Sequence, residues 1–229
     1  MAPYAPRGVH GRTVETLARR VLHGQLPEGA TLDLPALRRE LGISLTVLRE
    51  SLKVLAAKGM VDARQKRGTF VRPRADWNLL DADVLRWQCT AGPGAPAALL
   101  RDLAEVRAVV GPAVARLAAE RRTDADLTAL ETALTEMAGT TWTAGTTGTT
   151  GTAAGPARSA GAGAEFHRAL LAATRNELLE RMGPVVVPGP VGAPHPADPV
   201  PGHRAVLDAV RAGDRDAAER AMRALLGAR

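Results

Sequence analysis

The chain of 229 residues is 45% hydrophobic, enough for packed cores, but only 3% aromatic, so its buried contacts must come from aliphatic helix faces and an α-rich fold is expected. A single cysteine, Cys89, excludes an internal disulfide framework and a cysteine-rich zinc site, and no signal-type or membrane-length apolar run is present, so a soluble cytoplasmic protein without a membrane partner is expected. Its charge of +6 is uneven: residues 1–75 hold 14 Lys and Arg against 6 Asp and Glu, and the rest is slightly acidic, the pattern either of a module that neutralises nucleic-acid phosphates or of a general compositional bias towards arginine.

Residues 1–11, with Pro3, Pro6, Gly8 and Gly11, show no apolar period and read as a flexible tail. From Thr13, the residues Val14, Leu17, Ala18, Val21 and Leu22 recur at helical spacing and stop at Gly24. Asp33 can cap a second helix through Leu34, Leu37 and Leu41 to Gly42, and Ser44 a third through Val47, Leu48, Leu52 and Leu55 to Gly59. Two short helices around a glycine turn make a helix-turn-helix. Met60–Arg64 and Thr69–Arg72 then read as strands around the basic turn Gln65-Lys66-Arg67-Gly68, together a wing.

Residues 76–97 read as a linker ending in Gly92-Pro93-Gly94-Ala95-Pro96, between a domain at 12–75 and one at 98–229. In the second domain Leu103, Val106, Val110, Val114 and Leu117 mark one amphipathic helix, and Thr123 can cap another through Leu127, Leu130, Leu134 and Met137. Residues 138–164, almost entirely Gly, Thr, Ala and Ser, predict a mobile loop. A helix follows from Glu165, with Phe166, Leu170 and Leu171. Seven prolines between Gly183 and Gly202 exclude a continuous helix there, and two last helices are expected over Ala205–Ala212 and Asp214–Leu226.

The stretch Leu41-Gly42-Ile43-Ser44-Leu45-Thr46-Val47-Leu48-Arg49-Glu50-Ser51-Leu52, with Val54-Leu55, Gly59 and Arg67-Gly68-Thr69-Phe70-Val71, resembles the GntR family of bacterial repressors. Arg101-Asp102-Leu103, Glu105, Arg107, Ala118-Ala119-Glu120-Arg121, Phe166-His167, Thr174, Asn176 and His203-Arg204-Ala205-Val206 resemble the FCD ligand-sensing domain of its FadR subfamily. Asp76-Trp77-Asn78-Leu79-Leu80-Asp81 is similar to the linker of members that answer to sugar acids such as galactonate. The resemblance implies a mostly α protein, an N-terminal winged helix-turn-helix followed by an antiparallel helical bundle of the FCD type. It also implies a homodimer that binds a double-stranded DNA operator under control of a small carboxylate effector.

The same resemblance assigns DNA contacts to Ser44, Thr46 and Arg49 on the recognition helix and to Lys66, Arg67 and Gly68 in the wing; the family's arginine in the preceding helix is missing at the matching place, and Arg38, nearby, is the candidate there. Chemistry agrees, since an arginine can bridge two acceptors on guanine and hydroxyls at a helix start can donate to phosphate. Ser44 can equally be a simple N-cap, and Arg49 a solvated charge. Leu45 stands where the family commonly has a base-reading arginine, so operator sequence does not carry over from relatives.

In the second domain the resemblance assigns Arg107, His167, Asn176 and His203 to the effector cavity, with a divalent metal such as zinc, nickel or manganese on the two histidines. Arg107 suits a carboxylate, though a solvated arginine on an amphipathic helix reads equally well. The metal motif is incomplete, because Gly163 replaces an aspartate and Leu225 a third histidine, while Gly111 replaces an acidic residue. His195, in the proline-rich segment, is an alternative ligand or an exposed loop residue. An enzyme is disfavoured, for no Ser-His-Asp grouping, phosphate loop or dinucleotide fingerprint occurs. The alternative is a DNA-binding protein whose C-terminal domain no longer senses anything.

Overall fold

A computed structural model describes residues 8–90, 97–144, 155–187 and 200–227. It divides into two units, at Met1–Pro96 and Ala97–Arg229. The first helix, α1 (Gly8–Leu22), begins earlier than its apolar period suggested, because Gly11 and Thr13 are buried in it alongside Val14, Leu17 and Ala18. Residues 8–11 are therefore not part of a tail; residues 1–7 lie outside the described residues.

Helix α2 (Leu34–Leu41) starts where Ala36 N–H donates to the Asp33 carboxylate at 2.9 Å, and Gly42 ends it in the left-handed conformation, φ +62°. Helix α3 (Leu45–Ala57) starts on Ser44, whose Oγ accepts from Val47 N–H at 3.2 Å. Its apolar face, Leu48, Leu52 and Leu55, packs onto α1. Arg20 grips Glu40 with two bonds of 2.9 and 2.7 Å, joining α1 to α2.

The wing follows as β1 (Val61–Arg64) and β2 (Gly68–Val71), antiparallel, with Val61 opposite Val71 and Arg64 opposite Gly68. Residues 29–32 add a third edge that the sequence reading missed. Gly29 donates to Val71 O at 2.9 Å and Leu32 to Thr69 O at 2.7 Å, while Val71 donates to Ala30 O at 3.0 Å. Four such residues carry too short an alternation to read as a strand.

Residues 76–90, the described part of the expected linker, are not a linker. A 3₁₀ turn at Arg74–Asp76 leads to α4 (Ala82–Thr90), and Trp77, Val84 and Trp87 are buried in the same core as Val14, Leu17, Leu48 and Leu55. Gly59, at φ +74°, makes this possible, for a Cβ there would stand 2.4 Å from Asp76 O. Lys58, with a side chain only 8% exposed, bridges Asp81 at 2.7 Å and Asp83 at 2.8 Å and lies 5.6 Å from the Trp87 ring centroid. Burial penalises the ammonium, but its bonds to the two carboxylates outweigh this and hold its pKa above the ordinary lysine value.

The second unit is all helix among its described residues: α5 (Ala97–Arg121), α6 (Asp124–Ala144), α7 (Gly155–Ala173), α8 (Glu177–Arg181), α9 (Gly183–Val186), α10 (Val200–Ala212) and α11 (Arg215–Leu225). The structure differs from two expectations, the loop at 138–164 and the start of the helix expected from Ala205. Residues 138–144 and 155–164 belong to helices rather than to a mobile loop, because Met137, Ala162 and Ala164 are buried in the core between α6 and α7. A short helix, α9, lies inside the proline-rich stretch, and α10 begins at Val200, since Pro201 sits in its first turn, where a missing N–H costs nothing. Residues 145–154 and 188–199, His195 among them, lie outside the described residues.

The core of this unit brings Val114 and Ala118 of α5 against Phe166 and Leu170 of α7, Val206 of α10 and Met222 of α11. Gly111 explains the close approach of α5 to α11: a Cβ there would meet Leu226 Cδ1 at 2.8 Å. Thr123 opens α6 differently from the expected cap, its hydroxyl and backbone N–H both donating to Asp126 at 2.8 Å.

Candidate functional site

The start of α3 is an open, polar surface. Ser44, Leu45, Thr46, Arg49 and Glu50 are all exposed, while Leu48 and Ser51 are buried beneath them. Leu45 and Arg49 are one turn apart and so share a face, with Lys53 a further turn along, held by Glu50 at 2.8 Å. Arg38 is exposed on α2. Among the described residues neither Arg38 nor Arg49 forms an ion pair, so both guanidinium groups are available to an external anion. Ser44 spends one oxygen lone pair on its cap and keeps its O–H to donate.

At the wing tip the two cations differ. Lys66 is exposed at the apex with φ +68°, and Gly68 follows at φ +79°. Arg67 instead folds back: its guanidinium carbon lies 3.7 Å from the Phe70 ring centroid, and Nη2 donates to Gly29 O at 3.1 Å. That arrangement ties the wing to the edge at residues 29–32, a role the charge pattern alone did not reveal.

In the second unit His167 and His203, 6% and 7% exposed, come together with ring centroids 5.4 Å apart. Phe166 stands edge-on to both, at 6.1 and 5.0 Å. Arg107 on α5 is half-buried, donating from Nε to Val185 O at 3.2 Å and from Nη2 to Val187 O at 3.3 Å at the end of α9. Asn176 caps α8, its Oδ1 accepting from Leu178 N–H at 3.0 Å and Leu179 N–H at 3.3 Å, so its acceptor is engaged in the fold rather than turned to an effector. An open groove of about 500 Å³ runs over α6 and α7 past Thr132, Glu136, Glu165 and Arg168. Its lining pairs Arg168 with Glu165, leaving it unsuited to an anion.

Residues 10–71 match bacterial regulatory proteins of the gntR family, and residues 102–185 match the FCD domain. The galactonate operon transcriptional repressor of Escherichia coli K12 is 31% identical, the match covering 92% of this chain and 90% of that one. The chain belongs to the GntR family. LutR, a helix-turn-helix transcriptional regulator of Bacillus subtilis, is 31% identical to this regulator over 71% of its chain and 66% of LutR. Two solved structures share its fold. Lar, which controls expression of the Listeria monocytogenes agr system, aligns with TM-score 0.56 at 16% identity, covering 98% and 95% of the chains. Streptococcus agalactiae GntR aligns with TM-score 0.50 at 22% identity, covering 96% and 97%.

This GntR regulator is thus a DNA-binding transcriptional regulator and not an enzyme, and none of its described helices is long and apolar enough to cross a membrane. Its histidine pair does not fit the metal that the family resemblance implies. Gly163 offers no donor, and the nearest group to a Cβ built on it is the Met137 methyl, at 3.9 Å. Leu225, a hydrocarbon side chain where a third histidine ligand was expected, offers no donor either, and its Cδ1 packs within 2.7 Å of where a Cβ on Gly202 would stand. Among the described residues no three His, Cys, Asp or Glu side chains come together as a ligand set. Two imidazoles against a phenyl edge are a packing arrangement, not a complete divalent site.

Proposed function

We propose that this regulator is a homodimeric repressor of a catabolic operon, released from its operator by a small sugar-acid carboxylate. The observation that carries the reading is the likeness to the galactonate operon repressor, which extends over both the reading head and the FCD domain. Thr46 and Arg49 contact base edges in the major groove, Ser44 and Arg38 hold phosphates, and Lys66 reaches the flanking backbone. Arg67 and Gly68 shape the wing that presents Lys66. Two copies place two recognition helices about one DNA turn apart, near 34 Å, matching two half-sites. The carboxylate is held by Arg107, exchanging the carbonyls of Val185 and Val187 for a charged acceptor that binds a guanidinium more strongly. Fluorescence anisotropy of the full chain on DNA from upstream of its own and adjacent genes, with and without D-galactonate, tests this. Binding that galactonate and related sugar acids leave unchanged would contradict it.

A second reading is favoured by Gly163, Leu225 and the capping role of Asn176: the C-terminal unit assembles the dimer and senses nothing. Thermal shift separates the two, because a ligand of the folded state raises the melting temperature as its concentration passes Kd.

A further inference from the structure

We infer that Leu45 determines operator specificity by reading the 5-methyl group of a thymine in each half-site, an inference that rests on α3 being the helix that enters the major groove. Leu45 is 37% exposed at the first position of α3, whereas the other leucines of that helix, Leu48, Leu52 and Leu55, are at most 6% exposed. It takes no part in the core of the N-terminal unit. Its neighbours on the open face are Thr46 and Arg49, and Ser44 caps the helix immediately before it. Its place in the first turn is the part of a recognition helix that meets base edges.

The chemistry of the groove narrows what such a side chain can recognise. Adenine, guanine and cytosine present donors and acceptors there, and thymine alone adds an apolar group. Against guanine O6 and N7, or the cytosine amine, an isobutyl group displaces water without replacing its hydrogen bonds, which is unfavourable. Against a thymine methyl it buries hydrocarbon on both sides. Leucine here therefore both selects thymine and rejects a G·C pair, while hydrogen-bonded readout is left to Thr46 and Arg49.

The full-length protein, incubated with duplexes carrying a randomised core, should enrich half-sites with an invariant thymine. Replacing that thymine by deoxyuridine deletes only the methyl group and should weaken binding about fourfold per methyl, the factor expected for one buried carbon. Leu45→Ala, at an exposed position, should keep the wild-type melting temperature and bind thymine and deoxyuridine duplexes equally. Leu45→Arg should move the enriched base from thymine to guanine. Enrichment in which no deoxyuridine substitution weakens wild-type binding would overturn the assignment while leaving the DNA-reading role intact. So would a methyl effect that persists in Leu45→Ala and disappears in Thr46→Ser. Failure to enrich any sequence would sink both.

Discussion

Arg49 and Arg67 carry the same charge in the same basic module, yet the structure gives them different work. Arg49 projects from α3 without an ionic partner among the described residues, so Arg49→Ala should weaken operator binding by about 1 to 3 kcal/mol with an unchanged melting temperature. Arg67 is stacked on Phe70 and bonded to Gly29, so Arg67→Ala should lower both affinity and thermal stability. Anisotropy and differential scanning calorimetry on the two variants check the contrast; equal stability would return Arg67 to the DNA surface. Lys58 is a third kind of cation, enclosed by Asp81, Asp83 and Trp87. Lys58→Ala leaves two carboxylates facing each other at the foot of α3 and should cost about 3 kcal/mol, near the lower end for broken buried pairs because Asp81 is partly solvated. Its raised pKa gives the sign with pH. The stabilisation is complete below the ordinary lysine pKa and is lost as pH rises through the higher folded value, so the wild-type chain should lose stability in strong alkali more steeply than Lys58→Ala.

At the scale of elements, the reading head extends beyond the wing. Trp77, Val84 and Trp87 are buried with the residues of α1 and α3, so cutting at residue 75 removes about 5 kcal/mol of apolar burial and exposes the underside of the recognition helix. A fragment of residues 1–96 should melt cooperatively and bind DNA with a steep salt dependence; residues 1–75 should fold poorly and bind weakly. Equal melting of both fragments would show that α4 is dispensable. Helix starts at Asp33 and Ser44 and the wing at Lys66-Arg67-Gly68 were legible in the sequence because each rests on a local signal: a capping side chain, a glycine, a change of period. Helix α4 was not, because its apolar residues follow no lengthy period and their partners lie about seventy residues earlier in the chain. The helical parts of 138–164 were hidden for the opposite reason, since alanine and glycine look like linker composition until Ala162 and Ala164 are seen to let α7 approach α6. The site followed the same divide: the pairing of His167 with His203 came through a motif, but the contact of Leu225 with Gly202 depended on packing. Prolonged dialysis against a chelator should accordingly leave the melting temperature unmoved, whereas loss of a structural metal would cost several kcal/mol and be plain in calorimetry.

On the proposed reading, control of the whole molecule is a coupling free energy between a carboxylate bound to the C-terminal unit and DNA bound to the N-terminal one. Thermodynamic linkage makes that coupling reciprocal: if D-galactonate lowers operator affinity by a factor of about ten, operator DNA must lower galactonate affinity by the same factor. Calorimetric titration of galactonate into the full chain, alone and saturated with operator, measures one side, and anisotropy with and without galactonate the other. The two factors should agree. Residues 1–96 should bind the same operator with no response to galactonate, because Arg107 and the rest of the FCD match, residues 102–185, are missing from it. They should also bind more weakly than the full chain, since in the proposed dimer two half-sites engaged together gain from effective concentration. A fragment that keeps the galactonate response would place the acid on the reading head itself, where exposed Arg38 and Arg49 are the available cations, and would make the effect simple competition with DNA phosphates. Competition of that kind would be reproduced by any carboxylate at the same ionic strength, whereas an effect confined to the full chain and to sugar acids requires a shaped site around Arg107. Arg107→Lys keeps the charge but gives up bidentate geometry, so it should abolish the response to galactonate while leaving operator affinity in its absence unchanged.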